Sequence, residues 1–398
     1  MKKILILHSN LELGGAETSL LGLLWSLDYR RVSVELFLYQ HTGELLSLIP
    51  PEVKLLPEVP AYRALFDPIK TALLHGHPCI AAARVHAKLT VSRRNRKLHF
   101  KDFGHALKQR AHANAVKYLP RIGGGYDMVI SFIDPHWIMT SRTTAPLKLG
   151  WFHTDNALVT PDKPLDDAMW AGCTHAVNVS EACKAAFDKV HPAMTERSVV
   201  IENILARPYV EKRAAEPLPE GDMPRDGSIR LLSIGRFCEA KNFDNLPDIT
   251  RRLLAEGLSV RWYIIGYGGD EELIRRKIAE AGMEQNVILL GKRENPYPYI
   301  RACDLYVQPS RYEGKSVTVR EAQMLGKPVV ITRYATSACQ LEEGVDGEIV
   351  PMDNEGCAAG IAELLRDPDR MSRLSAACAA RDYTNADQAE KLYQLLEV

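Results

Sequence analysis

Residues Gln308–Val330 read QPSRYEGKSVTVREAQMLGKPVV, and their order sets the architecture of the C-terminal half. Asp304–Gln308 (DLYVQ) is apolar and β-prone, the end of a buried strand, and Pro309 stops it. From about Val317 to Leu325 the pattern predicts a helix, closed by Gly326 and Pro328 in the usual order, and GKPVV opens the next strand. A Gly-Lys-Ser loop therefore leads into a helix N-terminus. There, unpaired backbone N–H groups and the helix dipole favour an anion such as a diphosphate. Glu313 lies in the loop and Glu321 on the helix, eight positions later. Carboxylates repel a phosphate but accept hydrogen bonds from sugar or ribose hydroxyls. The stretch suits a nucleoside diphosphate that carries a sugar.

This E-x7-E segment, framed by PS-x-x-E-G before and E-A-x-x-x-G-x-P-V-V after, resembles the donor-site signature of the retaining GT-B glycosyltransferases of family 4, group 1. The frame carries the resemblance, since a quarter of the chain is charged and two glutamates alone mean little. It covers the C-terminal half closely and the N-terminal half loosely. The implied fold is α/β, of the GT-B kind, with two Rossmann-like domains facing each other across a cleft. The implied activity moves a hexose, from UDP in the first instance, to a cell-envelope or capsular glycan, lipid-linked forms included.

A chain of 398 residues holds two domains of ordinary size, each able to bury a core. The strand and helix signals place an N-terminal domain at 1–204, a Pro-, Gly- and charge-rich linker at 205–228, and a second β-α alternation at 229–382. A last helix at 383–398 is expected to pack back on the first domain. Lys3–His8 (KILILH) reads as a strand covered on both faces, followed by the loop Leu11–Glu17 (LELGGAE), a helix, and the strand Val32–Tyr39. That is a Rossmann-like start without the full G-x-G-x-x-G. The eight cysteines form no C-x-x-C pair, which points to scattered, buried thiols in a reducing compartment. KKILILHSN is too short an apolar run for a signal peptide, and Leu20–Leu27 is too short to span a bilayer. The chain reads as cytoplasmic, with a peripheral place at the inner membrane face as a further expectation.

The resemblance assigns roles residue by residue. After the strand LLSIG, Arg236 and Lys241 match G-R-x-x-x-x-K, whose cations hold the donor diphosphate and steady the charge that builds as it leaves. Glu321 is assigned to the ribose hydroxyls and Glu313 to those of the transferred sugar. Lys315, Ser316 and Val317 are placed at the sugar and phosphates, largely through main-chain N–H groups. Many relatives carry Gly-Phe-Gly where this chain has Gly314-Lys315-Ser316. Gly266 ends a strand like the family's G-x-G turn, Lys292 and Arg293 fall where relatives read the nucleobase, mostly through backbone atoms, and Asn203 corresponds loosely to the Asn of a P-N-G segment. His153 resembles the N-domain histidine that faces the donor sugar, with Asp155 beside it to orient it or cap a helix. Gly14 and Gly15 read equally as a tight turn or as close approach to donor phosphate or acceptor.

No cofactor and no metal is expected. His75-x-His77 sits in a basic stretch without an acid or Cys at ligand spacing, and Asp367-Pro-Asp369 reads as a turn. From Ala61 to Arg121 thirteen Lys and Arg stand against Asp67 and Asp102, a net charge near plus eleven. Arg93–Arg110 (RRNRKLHFKDFGHALKQR) reads as an amphipathic helix suited to an anionic membrane, with a basic groove for an anionic acceptor and a solvated face as rivals. No nucleic-acid-binding module is recognisable. Other functional classes stay open: a nucleotide-sugar epimerase or phosphorylase of this fold, or a sugar-nucleotide-binding subunit that does not turn over.

Overall fold

The structure is a computed structural model that describes residues 1–12, 14–98, 103–153, 162–313 and 316–397. Its internal contacts divide into two units, Met1–Ala206 with Asn385–Val398, and Arg207–Thr384.

The first unit is built on seven strands: β1 (Lys2–His8), β2 (Val32–Leu38), β3 (Lys54–Leu55), β4 (Met128–Ser131), β5 (Leu147–Phe152), β6 (His175–Asn178) and β7 (Ser198–Val200). They run in the order β3-β2-β1-β4-β5-β6-β7, every pair parallel. Ile4 pairs with Val34 on one side and Met128 on the other, and Ile4–Leu7 are fully buried. A continuous apolar strand is what a parallel sheet covered on both faces demands. The strand order reverses between β1 and β4, which opens a crevice beyond their C-terminal ends. The last helix, Gln388–Glu397, belongs to this unit: the Asp28 N–H donates to Tyr393 Oη at 2.6 Å, and Arg31 pairs with Glu390 at 2.9 Å.

Between β3 and β4 lie the helices Pro60–Arg63, Ile69–Leu74, Pro78–Leu98 and Phe103–Ala115. The single amphipathic helix expected over Arg93–Arg110 is instead the end of one helix and the start of another. Val91 packs on Ala106, and the Asn114 side-chain amide donates to the Ala83 carbonyl at 3.3 Å, so the two run antiparallel. Part of the basic charge is spent inside the fold. Arg94 (2.6 Å) and Arg110 both bind the buried carboxylate of Asp162, and Arg84 donates to the carbonyls of Ala64 and Asp67.

The second unit repeats the scheme with β8 (Ile229–Ile234), β9 (Val260–Ile265), β10 (Val287–Gly291), β11 (Leu305–Gln308), β12 (Val329–Thr332) and β13 (Glu348–Val350). The order is β10-β9-β8-β11-β12-β13, again all parallel, with Leu231 of β8 between Trp262 and Leu305. Its reversal lies between β8 and β11. The unit begins earlier than the composition implied. Arg207–Ala214, inside the expected linker, is a helix with Tyr209, Val210 and Ala214 buried, and Tyr209 meets Tyr297 edge-on. Asp222 in the same segment accepts from Tyr299 at 2.6 Å.

Of the cysteines, Cys173, Cys303, Cys357 and Cys378 are buried, and burial pushes their thiols up to about 11 or 12. Cys79 and Cys339 are exposed, against the expectation that all are buried. Among the described residues no helix is long and apolar enough to cross a membrane.

Candidate active site

In the second unit the exits of β8, β9 and β10 are laced together. Gly235 N–H donates to Ile265 O at 3.0 Å, Phe237 N–H to Tyr267 O at 2.9 Å, and Gly266 N–H to Gly291 O at 3.0 Å. A Cβ on Gly266 would lie 1.9 Å from the Gly235 carbonyl oxygen, and one on Gly268 2.3 Å from that of Phe237. Backbone approach this close admits only glycine at both places. The lacing holds Arg236 and Lys241 at the C-terminal end of β8. Arg236 is exposed and pairs with no carboxylate among the described residues. Lys241 binds Glu313.

Glu313 is held through one oxygen. Its Oε1 accepts from Lys241 Nζ, from Ser310 Oγ at 2.8 Å and from Gln308 Nε2 at 3.4 Å, while Gln308 is itself fixed by Tyr306 at 2.9 Å. The Thr336 hydroxyl donates to the Glu313 carbonyl at 2.7 Å. Oε2 takes no hydrogen bond among the described residues, so the carboxylate is oriented yet keeps an acceptor for a ligand hydroxyl.

The helix Val317–Met324 follows, as the sequence indicates. Ser316 stands at its N-cap, but its N–H donates to Gln340 Oε1 at 2.6 Å, and Gln340 Nε2 returns a bond to the Ser316 carbonyl at 3.2 Å. The side-chain amide of Gln340 thus brackets this peptide. The N–H of Ser316, expected at the phosphates, is already taken. Val317 opens the helix, where first-turn N–H groups lack an intrahelical acceptor. Lys315, also expected there, lies outside the described residues.

Glu321 is 5% exposed and accepts from Tyr297 Oη at 2.8 Å. Burial pushes its carboxyl up to about 7, against the downward pull of the Tyr297 hydrogen bond and of Arg320. A buried carboxyl that accepts from Tyr297 has room for a further hydrogen-bond partner such as a hydroxyl pair. Lys292 is exposed, its ammonium 5.6 Å from the Tyr267 ring centroid. The Arg293 side chain ties Asp222 at 3.0 Å and lies over Tyr299. Its side chain is committed to the fold.

In the first unit His153 follows β5, its ring 4.8 Å from Phe132 and stacked on Trp151 at 6.4 Å. Burial, with His8 nearby, pushes its imidazole down to about 4, and the buried Nε2 has no hydrogen-bond partner among the described residues. Asp155 lies outside the described residues. Asn203 Oδ1 accepts from Ser19 Oγ at 2.9 Å. Gly14 is the N-cap of the helix Gly15–Ser26 and has extended backbone angles, so no turn demands glycine. A Cβ there would lie 2.1 Å from Glu17 Oε2, whereas one on Gly15 meets nothing within 4 Å. Gly14 leaves room for the Glu17 carboxylate, whose Oε1 lies 3.2 Å from Nε2 of the fully buried His8.

Sequence reasoning missed Gln308, Ser310, Gln340, Tyr297, His8 and Glu17. Ser310 stood in the quoted frame three residues before Glu313, a spacing that could have revealed it. Gln340 pairs across 24 positions and gives no local signal. Among the described residues no three His, Cys, Asp or Glu side chains gather as a metal site. Asp367 caps the helix Pro368–Ala380, accepting from Arg370 N–H at 2.8 Å.

Residues 228–367, all within the second unit, match the family model described as Glycosyl transferases group 1. The lipopolysaccharide core biosynthesis glycosyltransferase LpsE of Rhizobium meliloti is 28% identical over 155 residues, 39% of this chain and 44% of that protein. The D-inositol 3-phosphate glycosyltransferase of Thermobispora bispora is 26% identical over 287 residues, 64% of this chain and 65% of that one. The match thus spans less than half of LpsE. Among solved structures, Anabaena HepE in complex with UDP and glucose superposes over 100% of both chains with a TM-score of 0.62 at 16% identity. The fold is GT-B, built from two parallel-sheet Rossmann-like units.

Proposed function

We propose that this chain is a retaining glycosyltransferase that moves a hexose from a nucleoside diphosphate, UDP in the first instance, to a cell-envelope or capsular glycan, lipid-linked forms included. The observation that carries the reading is the set gathered beyond β8 and β11, Arg236 and Lys241 with Glu313, inside the segment that matches the family model. Breaking the anomeric C–O bond sends its electron pair to the diphosphate, and fixed cations in a dry site stabilise that charge most where it develops. Arg236 pairs with no carboxylate among the described residues and is available to it. Lys241 orients Glu313, and the free Oε2 accepts from the sugar. The acceptor oxygen bonds to the anomeric carbon from the side the phosphate leaves, and the departing phosphate oxygen takes the acceptor's proton. The cations supply the neutralisation that a metal provides elsewhere. The names of relatives such as LpsE support an envelope-glycan acceptor.

A panel of UDP- and GDP-sugars, with released nucleotide and sugar products followed with and without excess EDTA, tests the reading. Slow release of nucleotide from one donor, equal with and without EDTA, is expected. Tight binding without release favours a silent binding subunit, a changed sugar favours an epimerase, and loss of release on chelation overturns the metal-independent step.

For the membrane, the support is apolar rather than purely basic. Leu73, Leu74, Val85, Leu89 and Phe103 are exposed beside exposed Lys88, Arg93 and Arg96. Such a surface suits anionic lipid. The rival is a groove of about 450 Å³ lined by Phe66, Ile69, Leu107, Lys88 and Lys108, able to take an anionic acceptor. Co-sedimentation with anionic vesicles should weaken when Leu73, Leu74, Arg93 and Arg96 become Ser. A protein that stays in the supernatant at low salt leaves the groove.

A further inference from the structure

We infer that Thr332, Thr336 and Gln340 form a strip of positioning residues that pins the main chain of Ser310–Ser316, and that this pinning serves the transfer step rather than nucleotide binding. The inference rests on the proposed glycosyl transfer and adds to it residues that act through Glu313 and the helix behind it. β11 and β12 pair only as far as Gln308 and Ile331. Pro309 then has no N–H to give, and the chain turns into the loop that carries Glu313. Ser310 and Ser316 are buried, and a buried carbonyl left unpaired is costly. The stretch that begins at the end of β12 supplies the donors from its side chains. Thr332 Oγ1 donates to the Ser310 carbonyl, Thr336 Oγ1 to the Glu313 carbonyl at 2.7 Å, and Gln340 Nε2 to the Ser316 carbonyl at 3.2 Å. Gln340 Oε1 also accepts from Ser316 N–H at 2.6 Å.

The contacts step by four along the strip, TRYATSACQ, and by three along the loop. Successive turns let the two keep pace. Tyr334 N–H returns to Thr332 O at 2.9 Å, Ser337 N–H to Tyr334 O at 3.0 Å and Gln340 N–H to Ser337 O at 2.9 Å. Each contact to the loop is made to its main chain, so the strip fixes where the loop runs without occupying the Glu313 carboxylate. The pinned residues are those on which the site depends. Ser310 Oγ donates to Glu313 Oε1 at 2.8 Å, Glu313 is the carboxylate itself, and Ser316 is the N-cap of the helix that carries Glu321. Thr332 and Gln340 are buried and Thr336 is half-buried, whereas Arg333, Ala335, Ala338 and Cys339 between them are exposed. The strip therefore turns its hydrogen-bonding side chains inward. All three are neutral, so they orient the loop without adding charge beside a diphosphate. A displacement of about 1 Å at a reacting group can cost on the order of 10²-fold in rate, which is the leverage such a strip holds.

The test uses the full chain and the donor that the panel selects. UDP affinity is measured by calorimetry, kcat and KM by nucleotide release, and folding by urea unfolding, for Thr336→Val, Thr336→Ser and Gln340→Met. In Thr336→Val and Gln340→Met kcat should fall at least tenfold, while UDP affinity stays within twofold of wild type. Thr336→Ser keeps the hydroxyl and should hold kcat within threefold of wild type. The near-isosteric Thr336→Val, at a half-buried position, keeps the test alive if Gln340→Met does not fold. A kcat within twofold of wild type in Thr336→Val overturns the inference alone. A tenfold or larger change of UDP affinity in either variant also overturns it, because the strip would then build the nucleotide site itself. If Thr336→Ser loses as much kcat as Thr336→Val, the loss belongs to packing and the inference falls. A wild type that releases nucleotide from no donor overturns the proposed activity and this inference with it.

Discussion

The two units share one sheet plan and differ in what they place at its reversal. Beyond β1 and β4 stand Glu17 paired with His8, and Phe132 packed on His8 and His153, with no Lys or Arg on the carboxylate among the described residues. Beyond β8 and β11 stand Arg236, Lys241 and Glu313, with Lys241 and Glu313 in contact. Topology supplies the crevice in both cases. The loops decide its charge. The sharpest way to break this contrast is to remove a cation from the second unit. Arg236→Ala removes no ion pair among the described residues, so its effect should fall on the ligand. Turnover should drop about 10²- to 10³-fold, the usual loss of one preorganised donor to developing charge. Lys241→Ala should lose at least as much, since it also releases Glu313. Steady-state kinetics on the selected donor decides it, and a loss under fivefold in both would remove the cationic site from the mechanism.

A second contrast lies between the two carboxylates. Glu313 is held by three donors on one oxygen and leaves the other without a hydrogen bond among the described residues, whereas Glu321 is buried and accepts from Tyr297. Glu321→Ala should cost UDP binding about 1–3 kcal/mol, because buried hydroxyls lose their acceptor. Glu313→Gln should spare UDP and abolish transfer. Equal losses of UDP affinity in both would erase the division of roles.

Glu321 also bears on stability. Its carboxyl, ordinarily near 4.5, is raised to about 7 in the folded chain. Between those values the folded state holds a proton that the unfolded state has lost, so this group makes stability fall as pH rises through the window. Glu321→Gln should match wild type in urea unfolding at pH 4.5 and exceed it at pH 8, by on the order of 1–3 kcal/mol. A difference that does not change with pH would mean that Glu321 is ionised throughout.

How much of this was legible follows from range. Most strands of both sheets, though neither β3 (Lys54–Leu55) nor β13 (Glu348–Val350), the helix at Val317 and the eight-residue spacing of the glutamates are local patterns that the sequence reveals. The Gln340 bracket on Ser316 and the commitment of Arg293 to Asp222 are contacts between distant positions. No window of sequence contains them. The segment 205–228 misled for another reason. Its Pro and Gly content outweighed Tyr209, Val210 and Met223, which the fold buries. The basic run misled similarly, since Arg94 and Arg110 find Asp162 more than fifty positions away.

The smallest effects compare the glycines of the two crevices, where one residue type serves opposite ends. Gly266→Ala in the second unit drives a Cβ to 1.9 Å from the Gly235 carbonyl oxygen, backbone that cannot give way. It should destabilise that unit by about 1–3 kcal/mol, the usual cost of forcing extra volume into packed structure. Gly14→Ala in the first unit meets only the flexible end of Glu17, so its stability should change by less than ~0.5 kcal/mol. Gly15→Ala meets nothing within 4 Å and should be neutral or gain up to ~0.5 kcal/mol from helix propensity. Urea unfolding and donor turnover on the three variants separate the cases. If Gly15→Ala instead weakens UDP binding tenfold, that residue approaches the donor closely, and the first crevice holds phosphate after all.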